Sequence, residues 1–326
     1  MFDSNNRCIN YMRISITDRC NLRCRYCMSH TNITHLPHEE ILSFEEIICL
    51  VSIGMRIGIS KVRITGGEPL VRKGVIDLIS GLSALEGLQD ISLTTNGVLL
   101  SEYADSLLKA GIKRLNISLD TLDREKYHYI SGKDCLMHIW EGIRKAEELG
   151  ISPIKINMVV INGFNDDEVL NMAKLTLDRA LWVRFIEYMP LGDHDFWSKE
   201  RIIPNSTVKN MISEYASLIP LDSAKHNVLN QRYRFEHGKG EIGFISPISN
   251  CFCKTCNRIR VTADGRLRNC LFHDQEIDIK MPMRAGASDE ELRAILEKSI
   301  KSKPMKHRLL EDVSHKCKRS MWNIGG

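Results

Sequence analysis

The chain of 326 residues is long enough for one large α/β domain with an appended module. Hydrophobic residues make up 43% and charged residues 26%, a composition that supports an ordinary folded core and argues against wholesale disorder. Lys and Arg number 45 against 41 Asp and Glu; the resulting +4 is too mild to argue for nucleic acid but permits an anionic small molecule. No apolar run approaches a membrane span, and the opening MFDSNNRCIN lacks the basic and apolar stretches of a secretory signal. No membrane association is expected, and a cytoplasmic location is. The 11 cysteines then read as candidate metal ligands, because an odd count cannot pair completely and nothing points to export.

Strand-like runs fall at 11–17, 61–65, 90–95, 113–119, 153–160 and 182–188. Between them lie amphipathic stretches at 43–56, 72–85, 101–110, 136–149 and 166–177. Ser43 with Glu46 predicts a capping box at the first of these. Gly58, Gly87, Gly111 and Gly150 stand where helices stop. Six strands and five helices at a spacing of about 30 residues read as βα units around a parallel sheet, whose chemistry collects at the C-terminal strand ends. After Pro190 the pattern changes. Residues 191–203 read as loop and 205–218 as a helix. Runs 232–236, 241–245, 258–262 and 266–268 read as short antiparallel strands, with Asp264-Gly265 as a hairpin turn. Residues 288–300 read as a late helix. Residues 301–319 carry seven Lys/Arg against two acids, most simply a solvated helix face, otherwise a phosphate-attracting patch.

Cys20, Cys24 and Cys27 form C-x3-C-x2-C just after the first strand. Thiolates at this spacing in a loop can converge on one metal centre. A structural zinc would need a fourth ligand, such as His30, whereas an iron–sulfur cube can be held by three and keep one iron open. Cys253, Cys256 and Cys270 form a second set, with Cys251 two residues earlier. This set alone is equally compatible with zinc, completed by Cys251 or His273, and with a second cube. Arg258 and Arg260 lie between its ligands. On a strand they share a face, and paired guanidiniums match phosphate oxygens.

DRCNLRCRYCM resembles the signature of the radical S-adenosylmethionine (SAM) superfamily. Gly66-Gly67-Glu68-Pro69 resembles its GGEP motif, which binds the methionyl amine of SAM. Thr94-Thr95-Asn96-Gly97 and residues 116–120 end the next two strands at the same rim. Over nearly its whole length the chain is similar to the GTP 3′,8-cyclase family. The features that carry this are RISITDRC from Arg13, Arg63-Ile64-Thr65 leading into GGEP, FCKTCNRIRVTADGRLRNC from Phe252 to Cys270, and the Gly-Gly end.

The resemblance implies an α/β fold: an incomplete (β/α)6 TIM-type barrel, residues 1–190, closed by a C-terminal α+β module, residues 191–326. It implies two 4Fe–4S clusters, on Cys20, Cys24 and Cys27 and on Cys253, Cys256 and Cys270. It implies SAM contacts from Tyr26, Gly67, Ser118 and Met189. It implies GTP contacts from Arg13, Arg63, Thr94, Lys155, Arg258, Ile259 and Arg260. Arg13, Arg258, Arg260, Gly325 and Gly326 are the expected catalytic set, the glycines threading a narrow channel. The implied reaction takes hydrogen from ribose C3′ by a 5′-deoxyadenosyl radical and joins C3′ to guanine C8, the first step of molybdenum cofactor biosynthesis. An external one-electron donor, a homodimer and delivery of product to cyclic pyranopterin monophosphate synthase are implied as partners. Arg184 is a further candidate, or else structural, paired with Glu187 or an aspartate nearby. A peptide-modifying radical SAM maturase would carry more C-terminal cysteines, and a zinc-dependent nucleic-acid module would be smaller and more basic.

Overall fold

The computed structural model describes residues 1–28, 33–189, 191, 196, 198–221, 231–307 and 317–325. His30, Gly326 and residues 308–316 of the basic stretch lie outside the described residues.

Six parallel strands form the centre of the sheet: β1 (Tyr11–Ser15), β2 (Lys61–Thr65), β3 (Asp90–Thr95), β4 (Arg114–Ser118), β5 (Ile154–Val160) and β6 (Leu181–Glu187). The crossovers carry α1 (Phe44–Arg56), α2 (Val75–Ser83), α3 (Leu100–Lys109), α4 (Arg124–Ser131), α5 (Leu136–Glu148) and α6 (Val169–Asp178). The capping box at Ser43 and Glu46 is present. The short helix α4 is additional to the expected five, because its eight residues are too few to show a period. Its local signals are Asp123, whose side chain accepts from the Lys126 N–H, and Gly132 in the left-handed region at its end.

The rest of the chain supplies α7 (Asn205–Ser213), β7 (Leu218–Pro220), β8 (Gln231–Phe235), β9 (Glu241–Ile245), β10 (Arg258–Val261), β11 (Arg266–Arg268), β12 (Ile277–Asp278), α8 (Lys280–Arg284), α9 (Asp289–Lys301) and α10 (Met321–Ile324). The expected antiparallel hairpins are there, and they extend the central sheet. β9 adds to β6 in parallel, and β10 adds to β1 in parallel. The order is β12-β11-β10-β1-β2-β3-β4-β5-β6-β9-β8-β7. Edge strands β12 and β7 are not paired to each other, so the barrel is incomplete.

Alternation along the strands decides which side chains go where. Met12, Ile14, Val62, Ile64, Leu93, Leu115, Ile117, Ile156 and Met158 point outward into one core shared with the helices. Tyr11, Arg13, Lys61, Arg63, Arg114, Ser118, Lys155, Asn157 and Arg184 point inward and line a cavity. The apolar layer outside carries the packing, which leaves the inside free to hold charged and polar side chains.

The join between β6 and the following module is made by Glu187, which is fully buried. It accepts from the backbone N–H of Asn205 at 3.1 Å, Ile248 at 3.0 Å and Ser249 at 2.9 Å, and from the Ser249 hydroxyl. A carboxylate also suits the N-terminus of α7. Glu187→Ala leaves these donors buried and unpaired. We expect a loss of about 2–4 kcal/mol, read as a lower midpoint in chemical denaturation, with a smaller loss in Glu187→Gln.

Candidate active site

Strand direction places the two cysteine sets at opposite ends of the barrel. Cys20, Cys24 and Cys27 follow β1, at the C-terminal strand ends. Cys253 and Cys256 precede β10, which runs parallel to β1, and Cys270 follows the antiparallel β11. Both sets line one cavity of about 380 Å³. A five-residue strand separates the ends by roughly 17 Å.

At the first end, the loop is set by backbone bonds: Cys27 and Met28 N–H both donate to the Cys24 carbonyl, at 2.9 and 2.7 Å. The Cys20 sulfur accepts from Leu22 N–H at 3.4 Å and lies 3.8 Å from the Asn96 amide nitrogen. Burial, with mutual repulsion, pushes the Cys24 and Cys27 thiols well up, and burial raises Cys20. Three thiolates here require a positive centre, so the donor set fits an iron–sulfur cluster. The glycines of GGEP are required by packing: a Cβ on Gly67 would lie 2.4 Å from the Arg19 carbonyl, and one on Gly66 would lie 2.8 Å from that of Thr17. The motif thus clamps the segment that leads into Cys20.

Glu68 is buried and holds the rim together. It accepts from Leu70 N–H, the Thr95 hydroxyl and Asn96 N–H at 3.0, 2.7 and 2.6 Å. Burial lifts it to about 7, despite these bonds. Tyr26 donates to Asp120 at 2.6 Å, and burial lifts Asp120 to about 6. Tyr26, Gly67, Ser118 and Met189 all border this end of the cavity.

Between the ends the lining is cationic. Arg260 is the register partner of Arg13, Arg13 of Arg63, Arg63 of Ser92, and Ser92 of Arg114. Arg258, Tyr11 and Lys61 form a parallel row. With Lys155, Arg184 and Lys303, nine Lys and Arg line the cavity against two carboxylates, Glu68 and Asp120, among the described residues. Burial first, and then the neighbouring cations, lower Lys155 to about 6, Arg184 to about 9 and Arg260 to about 10. Thr94 Oγ1, Asn157 Oδ1 and the Nε atoms of Arg184 and Arg258 are buried without a hydrogen-bond partner among the described residues. Such atoms fit a polar, anionic ligand.

Arg184 donates to Asn116 at 2.6 Å and faces the channel; Glu187 is engaged with backbone donors, so the alternative pairing of these two is replaced. Ile259 turns the opposite way from Arg258 and Arg260 and is buried in the outer core. Lys61 and Arg114 escaped the sequence reading, although each stands two residues before an inward position. Lys303 departs from the expected solvated basic face at 301–319, whereas Lys301, Lys306 and Lys318 are exposed as expected: Lys303 is buried and donates to the Arg258 carbonyl at 2.9 Å and to that of Asn269. Helix α9 ends at Lys301, and the chain then turns inward behind the second cysteine set.

At that set, burial and the neighbouring Cys251 and Cys270 raise Cys253 to about 11. Burial also acts on Cys256, but Lys303 and Arg258 outweigh it and lower that thiol. The terminal segment enters the channel as well. Met321 and Trp322 of α10 line it, and Arg260 donates to the Gly325 carbonyl at 2.8 Å. Gly325 has φ +81°, and a Cβ there would meet Thr65 Oγ1 at 2.4 Å and Ser15 Cβ at 2.8 Å.

Residues 14–176 match the Radical SAM superfamily, and residues 181–309 match Molybdenum Cofactor Synthesis C. The GTP 3′,8-cyclases of Syntrophomonas wolfei and Moorella thermoacetica are each 48% identical to this chain, over all of both proteins. The chain belongs to the GTP 3′,8-cyclase family. It is a radical SAM enzyme. Solved structures of Streptococcus suis SuiB bound to precursor peptide SuiA (TM-score 0.61, 14% identity, 91% of this chain and 67% of that one) and of anSMEcpe with bound AdoMet (0.58, 16%, 82% and 74%) share its fold.

Lys155 yields a pH-dependent prediction. Near neutral pH its amine is mostly unprotonated in the free channel, and a bound polyanion raises its pKa. Binding of inorganic tripolyphosphate at about pH 7.5 then takes up a proton, and affinity falls as pH rises from about 6 to the raised value and levels off above it. Calorimetry in buffers of different ionisation heat should show this uptake, and Lys155→Met should remove it.

Proposed function

We propose that the channel holds GTP between the two cysteine sets, with SAM at the Cys20, Cys24 and Cys27 end. The observation that carries this is one cavity with a thiol triad at each end and a cationic wall between them. The family's reaction converts GTP to 3′,8-cyclo-7,8-dihydro-GTP, the first step of molybdenum cofactor biosynthesis.

When bound, the clusters and SAM supply an electron and a carbon radical able to take hydrogen from ribose C3′. The chain's own residues do the positioning. Tyr26, Gly67, Ser118 and Met189 would border SAM, with the carboxylates Glu68 and Asp120 near its ammonium group. Arg13, Arg63, Lys155, Arg258 and Arg260 would neutralise the triphosphate, where low dielectric strengthens each pair. Thr94 offers a hydroxyl to the nucleotide. Cys253, Cys256 and Cys270 would hold the second cluster, and Ile259 sets the two arginines on one face. The inserted tail at Gly325 would narrow the channel around Arg260 and exclude water, a role that family membership extends to Gly326. The enclosure protects a radical from solvent.

The rest of the reading rests on family membership. Residues 1–190 form the radical SAM unit and 191–326 the module that completes it. The enzyme works in the cytoplasm as a homodimer, takes electrons from an external donor, and passes product to cyclic pyranopterin monophosphate synthase. No helix among the described residues is long and apolar enough to cross a membrane.

The test is anaerobic incubation with GTP, SAM and reductant, with mass spectrometry for 5′-deoxyadenosine and a cyclised nucleotide. Reconstituted protein should hold about eight irons; stoichiometric zinc with little iron would overturn the reading. Arg258→Ala or Arg260→Ala should cut product at least tenfold with iron retained. Gly325→Ala strains a left-handed position and fills the space beside Thr65. It should keep iron and SAM cleavage while product falls to background; product at the parent level would refute a role for the tail.

A further inference from the structure

Cys251 stands outside the triad Cys253, Cys256 and Cys270, and the proposed reaction uses neither it nor His307. The fold nevertheless brings both onto Cys253. The two sulfurs and a His307 ring nitrogen all lie within 4.8 Å of one another. Cys256 and Cys270 are not part of this close group. His307 is only 6% exposed and packs against the Phe272 ring, with centroids 4.9 Å apart. Its Nε2 lies 2.8 Å from the Pro247 carbonyl. A carbonyl only accepts, so Nε2 carries the proton and Nδ1 holds the lone pair. A ring oriented by such a bond is how proteins prepare an imidazole for a metal.

Two thiols and one imidazole are the protein ligands of a three-ligand zinc site, with water in the fourth position. Tetrahedral zinc, at about 2.3 Å from sulfur and about 2.0 Å from nitrogen, puts ligand atoms roughly 3.5 Å apart. Small rotations of two partly exposed cysteines close the remaining distance. We infer that Cys251, Cys253 and His307 form a zinc site that overlaps the second cysteine set and keeps a cluster off it while zinc is bound. Zinc binding stands on these three residues alone. The exclusion also rests on the proposed role of Cys253, Cys256 and Cys270, because both centres need the Cys253 sulfur.

The experiment uses iron-free, full-length protein carrying Cys24→Ala, which disables the first set. It is titrated with Zn²⁺ and with Co²⁺ as a spectroscopic probe, and metal content is measured after desalting. One zinc per chain is expected, with thiolate-to-cobalt charge transfer. Cys251→Ser and His307→Gln should each weaken zinc at least tenfold, and Cys251→Ser should diminish the charge-transfer band. Cys270→Ser should bind zinc as the parent does. Unchanged zinc affinity in Cys251→Ser, or equal loss in Cys270→Ser, overturns the site. Far-ultraviolet circular dichroism separates a misfolded variant from a folded one that has lost the metal. Reconstitution of the chain with its native cysteines should then give about four fewer irons when zinc is loaded first. Full iron uptake with zinc retained overturns the exclusion. Only about four irons in zinc-free protein would instead sink the two-cluster reading and leave the zinc result standing.

Discussion

Nine lysine and arginine side chains lining one cavity impose the condition that the rest of the fold meets. A buried charge is costly unless something answers it. Part of the answer is internal. Arg114 pairs with Asp90, Arg184 with Asn116, and Lys155 lies 4.0 Å over the Trp182 ring. Arg63 lies 5.4 Å from the Tyr11 ring centre, and Arg258 lies 5.5 Å from that of Phe252. The Asp90 carboxylate answers Arg114, while aromatic faces and the Asn116 amide temper the others without cancelling them. The remaining positive potential favours a polyanion. The stability that permits such an interior comes from the other face of the same strands, where alternate residues form a continuous apolar layer under the helices.

The channel is also polarised along the strands. Its two carboxylates, Glu68 and Asp120, belong to the C-terminal strand ends, where the loops of GGEP and the first cysteine set meet. The arginine rows belong to the middle and the N-terminal ends. One end therefore suits a ligand bearing an ammonium group, and the other suits phosphates. This order follows from two facts of topology: every central strand is parallel, and β10 joins the sheet in the same direction as β1. An antiparallel β10 would carry Cys253 and Cys256 to the end occupied by Cys20.

Local features were legible in the sequence because their physics is local. The capping box at Ser43, the stop glycines, the hairpin at Gly265 and the shared face of Arg258 and Arg260 each depend on residues a few positions apart. The six central strands show for the same reason, through β-branched runs. Pairings over long separations were not legible. Nothing near residue 258 announces a partner at Tyr11, and nothing near His307 announces Cys253. Lys303 looked like one charge in a basic stretch, yet two carbonyls draw its amine inside. The short elements β7, β12, α4 and α8 are held by their neighbours and show no period of their own. Alternation applied strictly would have added Lys61 and Arg114 to the site.

The tail and the arginine row form one unit. Arg260 gives one donor to the Gly325 carbonyl while it lies in register with Arg13. The Gly325 carbonyl therefore orients a guanidinium of the cationic wall. Gly325 can do this because it has no side chain to place against Ser15 and Thr65, and because its φ of +81° lets the backbone turn after α10. Helix α10 is held in turn by Trp322, edge-on to His35 at 5.8 Å; His35 neighbours Leu36, whose N–H donates to the buried Asp18 at 2.6 Å. Asp18 lies two residues before Cys20. The segment that positions the first cysteine set thus also anchors the helix that delivers the tail to Arg260. Through it, the closure of the channel and the geometry of the first cysteine end depend on the same few contacts.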